Sequence, residues 1–207
     1  MGAQAQSGST PRDYLAWERR QETRHEYIRG EIFEMTGASR EHNLICGNLF
    51  AMFHGQLRGR PCEVYVNDMR VKVTETGIYV YPDIVALCEP PRFEDNKVDT
   101  LLNPGLIVEV LSQSTESDDR GAKFAHYRNL PSLAHYLLVS QTECRVEHFT
   151  RQSGNRWLLT EYQAPDDSIP LTDMDCSLRL ADIYERLSLS AQPTPGEVAE
   201  GTTDQPR

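Results

Sequence analysis

Apolar residues along this chain fall into short runs separated by turn signals, and their spacing switches between helical and strand periods. Thr10 followed by Pro11 supplies an N-cap and a first helical residue, which predicts a helix over PRDYLAWERR. HEYIRG and EIFEM read as two short strands joined through Arg29-Gly30, a hairpin signal. Ser39 can cap a longer helix that runs to about residue 58, with Ile45, Leu49, Met52, Phe53 and Leu57 on one face and Gly59 ending it. CEVYV and MRVKV alternate as strands do, and ETG turns the chain into IYVYPDIVALC. A polar loop over residues 89–104 precedes the apolar run GLIVEVLS, and a helix is expected over residues 115–129. The strand AHYLLVS, a hairpin into CRVEHFT, a strand around RWLLTEY and a short helix near LADIYERL complete the pattern. Helix, hairpin, helix, strands, helix, strands predicts an α/β fold of the mixed α+β kind, a central mixed sheet flanked by helices.

Length and composition keep this picture to one domain. The 207 residues suffice for a single well-filled core, and no internal repeat is visible. Residues 11–187 form the expected domain, whereas residues 1–10 and 188–207 are polar, hold little to bury and are expected to be disordered. No stretch reaches the ~18 apolar residues of a membrane span, and the amino terminus lacks the basic start and apolar core of a secretory signal. No membrane association and a cytoplasmic location are therefore expected. Cys46, Cys62, Cys88, Cys144 and Cys176 are odd in number, scattered and never in CxxC spacing, so they read as small buried thiols in a reducing compartment. The formal net charge of −10 argues against a protein that coats nucleic acid, because phosphate affinity comes from Lys and Arg. It leaves room for an enzyme that touches a few phosphates, and carboxylates that hold a cation would themselves add negative charge.

Two carboxylates stand out against the apolar pattern. Glu109 lies inside Leu106-Ile107-Val108-Glu109-Val110-Leu111, a run typical of a strand covered on both faces. Burial there costs ~several kcal/mol unless a basic partner, a proton or a metal compensates. Asp83 follows Pro82 at the edge of a second apolar strand, where a missing N–H marks a strand start or bulge that can re-aim side chains. Two such acids 26 positions apart can sit on neighbouring strands and converge. Oxygen ligands of this kind suit Mg²⁺ or Mn²⁺. On the following helix Asp119, Lys123 and Tyr127 are spaced i, i+4, i+8 and share one face. From that spacing alone a solvated face with an Asp–Lys pair is the favoured reading. In the functional reading Lys123 reaches the carboxylates, orients or activates an attacking water and stabilises charge on a phosphorane.

The ordered combination of Pro82-Asp83, Leu106 through Thr115, and Asp119-Arg120-Gly121-Ala122-Lys123-Phe124-Ala125-His126-Tyr127 resembles the Uma2 family, which is placed in the PD-(D/E)XK restriction-endonuclease-like superfamily. The resemblance extends upstream to Glu26-Tyr27-Ile28-Arg29-Gly30-Glu31 and His42, and downstream to Ala134 through Val139 and Val146-Glu147-His148-Phe149. It implies a restriction-endonuclease-like core, Mg²⁺ (or Mn²⁺) held by Asp83, Glu109 and the carbonyl of Val110, and endonuclease activity on the phosphodiester bonds of DNA. Leu111 stands where the superfamily motif has its lysine, and Lys123 matches the family's displaced lysine. Glu31 and His42 match the upstream polar positions, as a further carboxylate and as a group that positions water or phosphate. A homodimer would let two sites cut two strands. Two other readings stay open at this stage: a noncatalytic nuclease-fold module that binds nucleic acid or protein, and a structural domain in which Glu109 simply pairs with Lys123.

Overall fold

A computed structural model describes residues 9–74, 77–112, 116 and 119–189. The expectations for the two chain ends, for the start of the ETG turn and for the start of the helix after residue 112 lie outside the described residues.

The first helix, α1 (Pro11–Glu18), begins as its sequence directs: Thr10 is the N-cap, and its side chain accepts a hydrogen bond from the Asp13 N–H. The next two elements, β1 (His25–Ile28) and β2 (Glu31–Glu34), form a hairpin whose register closes at Ile28 opposite Glu31. Arg29 and Gly30 both take positive φ, the two-residue turn that matches strand twist. Helix α2 (Arg40–Leu57) is capped by Ser39 and buries Ile45, Cys46, Leu49, Phe53 and Leu57 along one stripe. Each fully buried aliphatic or aromatic side chain of that stripe contributes roughly 1.5–3 kcal/mol.

Strands β3 (Glu63–Val66), β4 (Arg70–Thr74), β5 (Ile78–Val80), β6 (Ile84–Leu87), β7 (Thr100–Leu101), β8 (Leu106–Leu111), β9 (His135–Ser140), β10 (Val146–Gln152) and β11 (Arg156–Tyr162) divide between two sheets. One has the order β2-β1-β5-β4-β7, and the other β11-β10-β9-β8-β6-β3. The run IYVYPDIVALC supplies a strand to each, with the crossing at Tyr81-Pro82-Asp83, where proline cannot continue a ladder. The six-stranded sheet is mixed, because β8 pairs antiparallel to β6 and parallel to β9.

Both faces of the larger sheet are covered. Ile84, Ala86, Leu106, Val108, Val110, Leu137 and Val139 pack toward α2, the hairpin of β12 (Ser168–Leu171) and β13 (Cys176–Arg179), and a final helix, α4 (Leu180–Ile183). Val85, Leu87, Ile107, Leu111, Tyr136 and Leu138 face the other way, toward the smaller sheet and Tyr127 of α3 (Phe124–Tyr127). Glu109 shares the parity of Ile107 and Leu111, so the pleat aims it at that second layer. α1 covers the smaller sheet through Tyr14 and Leu15 against Tyr27, Ile32 and Tyr79.

Three expectations are revised. Residues 119–123 are a π-helical turn that runs into α3 rather than regular α-helix. β7 and the β12–β13 hairpin are additional strands. The reading of all five cysteines as thiols is corrected at Cys62 and Cys88, which form a disulfide. They lie one step beyond the Glu63–Leu87 pair of the β3–β6 ladder, where antiparallel residues face each other. Their separation of 26 residues hid this, because a two-strand excursion into the other sheet lies between them. Cys46, Cys144 and Cys176 are free. No described helix is long and apolar enough to cross a membrane.

Candidate active site

Asp83 stands at the corner where the chain passes between sheets, and three contacts fix it there. Its carbonyl accepts from the Asn67 N–H at 2.8 Å. Its Oδ2 accepts from the Val110 N–H at 2.7 Å, and His42 Nε2, from the first turn of α2, lies 3.2 Å from Oδ1. β8 outruns β6 here, so the Val110 N–H has lost its ladder partner and the Asp83 carboxylate replaces it. In an extended strand the carbonyl of a residue points to the same edge as its N–H, which turns the Val110 carbonyl toward the same gap.

Glu109, 4% exposed, accepts from the Tyr127 hydroxyl at 2.7 Å and lies 3.4 Å from Lys123 Nζ, both through Oε1. The ammonium is shared: Asp119 Oδ1 is 3.1 Å away and Glu26 Oε1 is 3.4 Å away. Asp119 is held in turn by its carbonyl, which accepts from the Tyr136 hydroxyl at 3.0 Å. Three carboxylates therefore crowd one ammonium. Burial pushes the Glu109 carboxyl well above its ordinary range; Lys123 opposes the shift, while Asp119, Asp83 and Glu26 add to it. Burial works against the charge on Lys123, but Glu109, Glu26 and Asp119 together hold its pKa well above the ordinary value. The site keeps its cation and still carries excess negative charge.

A cavity of about 850 Å³ opens over these groups. Glu26, His42, Asp83, Glu109, Val110, Asp119 and Lys123 line it, together with the segment from Phe33 to Ser39 that links β2 to α2. The fold thus gathers Asp83, Glu109, Val110, Lys123 and His42 around one space, as the sequence suggested. Glu31 is not among them. It sits exposed in edge strand β2, opposite Ile28, while Glu26 of the inner strand β1 takes the place expected of it. Glu26 is buried, and the Tyr81 N–H donates to its Oε1 at 3.3 Å. Its signal in the sequence is a carboxylate in the strand of the hairpin that has neighbours on both sides, and only the pairing of β1 with β5 reveals that position.

The donor set fits a hard divalent cation. Carboxylate oxygens and a strand-end carbonyl are the ligands Mg²⁺ and Mn²⁺ take, and the uncompensated charge around Glu109 is the condition a cation would relieve. Carboxylates on adjacent central strands of a mixed sheet, with a lysine delivered from the helix that follows, constitute a restriction-endonuclease-like core. The chain belongs to the Uma2 family, described as "Putative restriction endonuclease", whose profile matches residues 11–181. Two Synechocystis proteins designated uncharacterized are similar to it. One, sll1609, is 38% identical over 165 residues, 80% of this chain and 93% of the relative. The other, slr1290, is 37% identical over 179 residues, 86% of this chain and 93% of the relative. The crystal structure of a "putative nuclease belonging to DUF820" from Anabaena variabilis shares the fold, with a TM-score of 0.70 at 16% identity over 86% of this chain and 98% of that one.

Proposed function

We propose that the chain is a divalent-metal-dependent endonuclease that hydrolyses phosphodiester bonds in DNA. One observation carries this reading: Lys123 is buried among Glu26, Glu109 and Asp119, and lines one cavity with an Asp83 pinned by a backbone amide. A structural ion pair needs one carboxylate for one ammonium, and here the acids outnumber the base.

Asp83, Glu109 and the Val110 carbonyl would hold Mg²⁺ or Mn²⁺, with Glu26 as an additional oxygen donor. Such an ion supplies Lewis acidity and countercharge to phosphate oxygens. The protein groups do the rest by position. Tyr127 fixes the Glu109 carboxylate, and the Val110 N–H with His42 fixes Asp83. Lys123, kept protonated by its carboxylates, donates hydrogen bonds that orient a water and stabilises the negative charge that builds on the phosphorane. Groups so held need little rearrangement as the bond breaks. Cutting both strands of a duplex would take a second site, supplied by a second copy of the chain.

The test incubates purified protein with plasmid and with single-stranded DNA, in Mg²⁺, in Mn²⁺ and in EDTA, beside Asp83→Asn and Lys123→Ala. Cleavage is expected with either ion, and none with EDTA or with either variant. Cleavage that survives both substitutions, or that ignores EDTA, would overturn the reading.

A further inference from the structure

We propose that His42, Cys46 and Asp83 form a second, thiolate-containing metal site that takes Zn²⁺. His42 and Cys46 are separated by one helical turn on α2 and project from the same face. Cys46 Sγ lies 3.6 Å from His42 Nδ1, and His42 Nε2 lies 3.2 Å from Asp83 Oδ1. One ligand atom from each residue falls within 4.8 Å of the other two. The two His42 contacts use opposite nitrogens of the ring, and one ion takes only one of them. The His42 ring and a neighbouring side chain must therefore turn to bring three donors from within 4.8 Å to the roughly 3.3–3.8 Å that zinc bonds of ~2.0–2.3 Å in a tetrahedron require.

The chemistry of the donors separates this site from the neighbouring one. Mg²⁺ and Mn²⁺ select oxygen, and a thiol against the His42 ring offers them nothing. Nitrogen, sulfur and oxygen together suit zinc. Cys46 is buried at 3% exposure, whereas His42 and Asp83 line the cavity. Cys46 itself is not among the cavity-lining residues, so an ion entering beside His42 and Asp83 reaches the sulfur only as the His42 ring turns, with its fourth position left open to water. On binding, the Cys46 S–H bond breaks, its proton goes to solvent and the sulfur electron pair forms the bond to zinc. His42 is steadied by its own N–H, which donates to the Ser39 cap at 3.0 Å and fixes the first turn of α2.

Because Asp83 belongs to both sets, zinc here removes a ligand from the hydrolytic ion. Zn²⁺ is thereby an inhibitor of Mg²⁺-dependent cleavage. That consequence rests on the proposed nuclease activity, but the binding does not.

Metal-free full-length protein is titrated with Co²⁺ as a spectroscopic stand-in for zinc, in thiol-free buffer. The expected result is uptake of one ion with a thiolate-to-cobalt charge-transfer band in the near ultraviolet, bleached by equimolar Zn²⁺. Cys46→Ala, a small buried replacement, abolishes the band and weakens Zn²⁺ binding by more than the ~10–100-fold that outer-sphere partners command. Cys144→Ala and Cys176→Ala retain it. Absence of the band in the wild-type chain, or its persistence in correctly folded Cys46→Ala, overturns the proposal. In a cleavage assay Cys46→Ala keeps its Mg²⁺-dependent rate and loses inhibition by Zn²⁺. A chain that shows the band but never cuts DNA would refute the nuclease reading and leave this site standing; one that cuts DNA but shows no band would do the reverse.

Discussion

Glu109 and Lys123 touch, so the question at the residue scale is whether they exist for each other. Removing one member of an isolated buried pair strands its partner and costs about 3–5 kcal/mol. Lys123 would not be stranded, because Glu26 and Asp119 remain beside it. Glu109→Gln should therefore leave the metal-free protein within about 1 kcal/mol of the wild type in urea unfolding, while cleavage falls by at least ~100-fold. A loss of 3 kcal/mol or more would instead mark the pair as structural. Glu26 and Glu31 give a second contrast. Glu26→Gln removes an oxygen from the cavity and should abolish cleavage, whereas Glu31→Gln on the exposed hairpin edge should leave the rate within twofold; the reverse order would move the site. Asp83 and Glu109 were legible in the sequence because each is an acid that interrupts an apolar strand pattern, whereas the spacing of Lys123 fits an ordinary solvated helix face and only the family resemblance singled it out. Glu26 interrupts no such pattern. An acid in a short hairpin is ordinary until the strand pairing makes it interior.

Elements with strong periodicity were read almost to their ends. α2 begins and ends where its Ser39 cap and Gly59 place it, and the β1–β2 register follows from its two-residue turn. Partition of the strands between two sheets was not readable, since alternation identifies a strand without naming its neighbour. β7, two residues long, carries too short a pattern to detect, and Pro170 weakens the strand signal of β12. Pairing of β9 with β10 has a consequence of its own. It sets His135 Nδ1 2.9 Å from His148 Nε2, with both rings buried. Burial, reinforced by the neighbouring His135, pulls His148 down to about 4. An unfolded histidine titrates near ~6.5, so between these values the unfolded chain binds more protons than the folded one. Stability should then fall as pH drops from about 6.5 to about 4, by up to ~1.4 kcal/mol per pH unit from this group. His148→Gln should flatten that limb of the stability profile. An unchanged slope would show that His148 stays neutral, or charges, equally in both states.

For the whole molecule, a formal charge of −10 and a cavity floored by carboxylates both repel a polyanion. The same features favour a divalent cation, whose arrival inverts the local field and gives phosphate a partner. Nucleic-acid binding and cation binding are thus expected to be coupled, with affinity for single-stranded or duplex DNA at least ~10-fold weaker in EDTA than in saturating divalent ion. DNA affinity that is indifferent to the ion would remove the cation from recognition. The most direct measurement of the central claim is Mn²⁺ binding itself, followed by the loss of the free-ion electron paramagnetic resonance signal. Wild-type protein and Glu31→Gln should bind Mn²⁺ alike, with Asp83→Asn and Glu109→Gln each weakened by at least ~10-fold. Equal binding by all four proteins would contradict the claim that these strand-borne acids and their lysine surround a common cation.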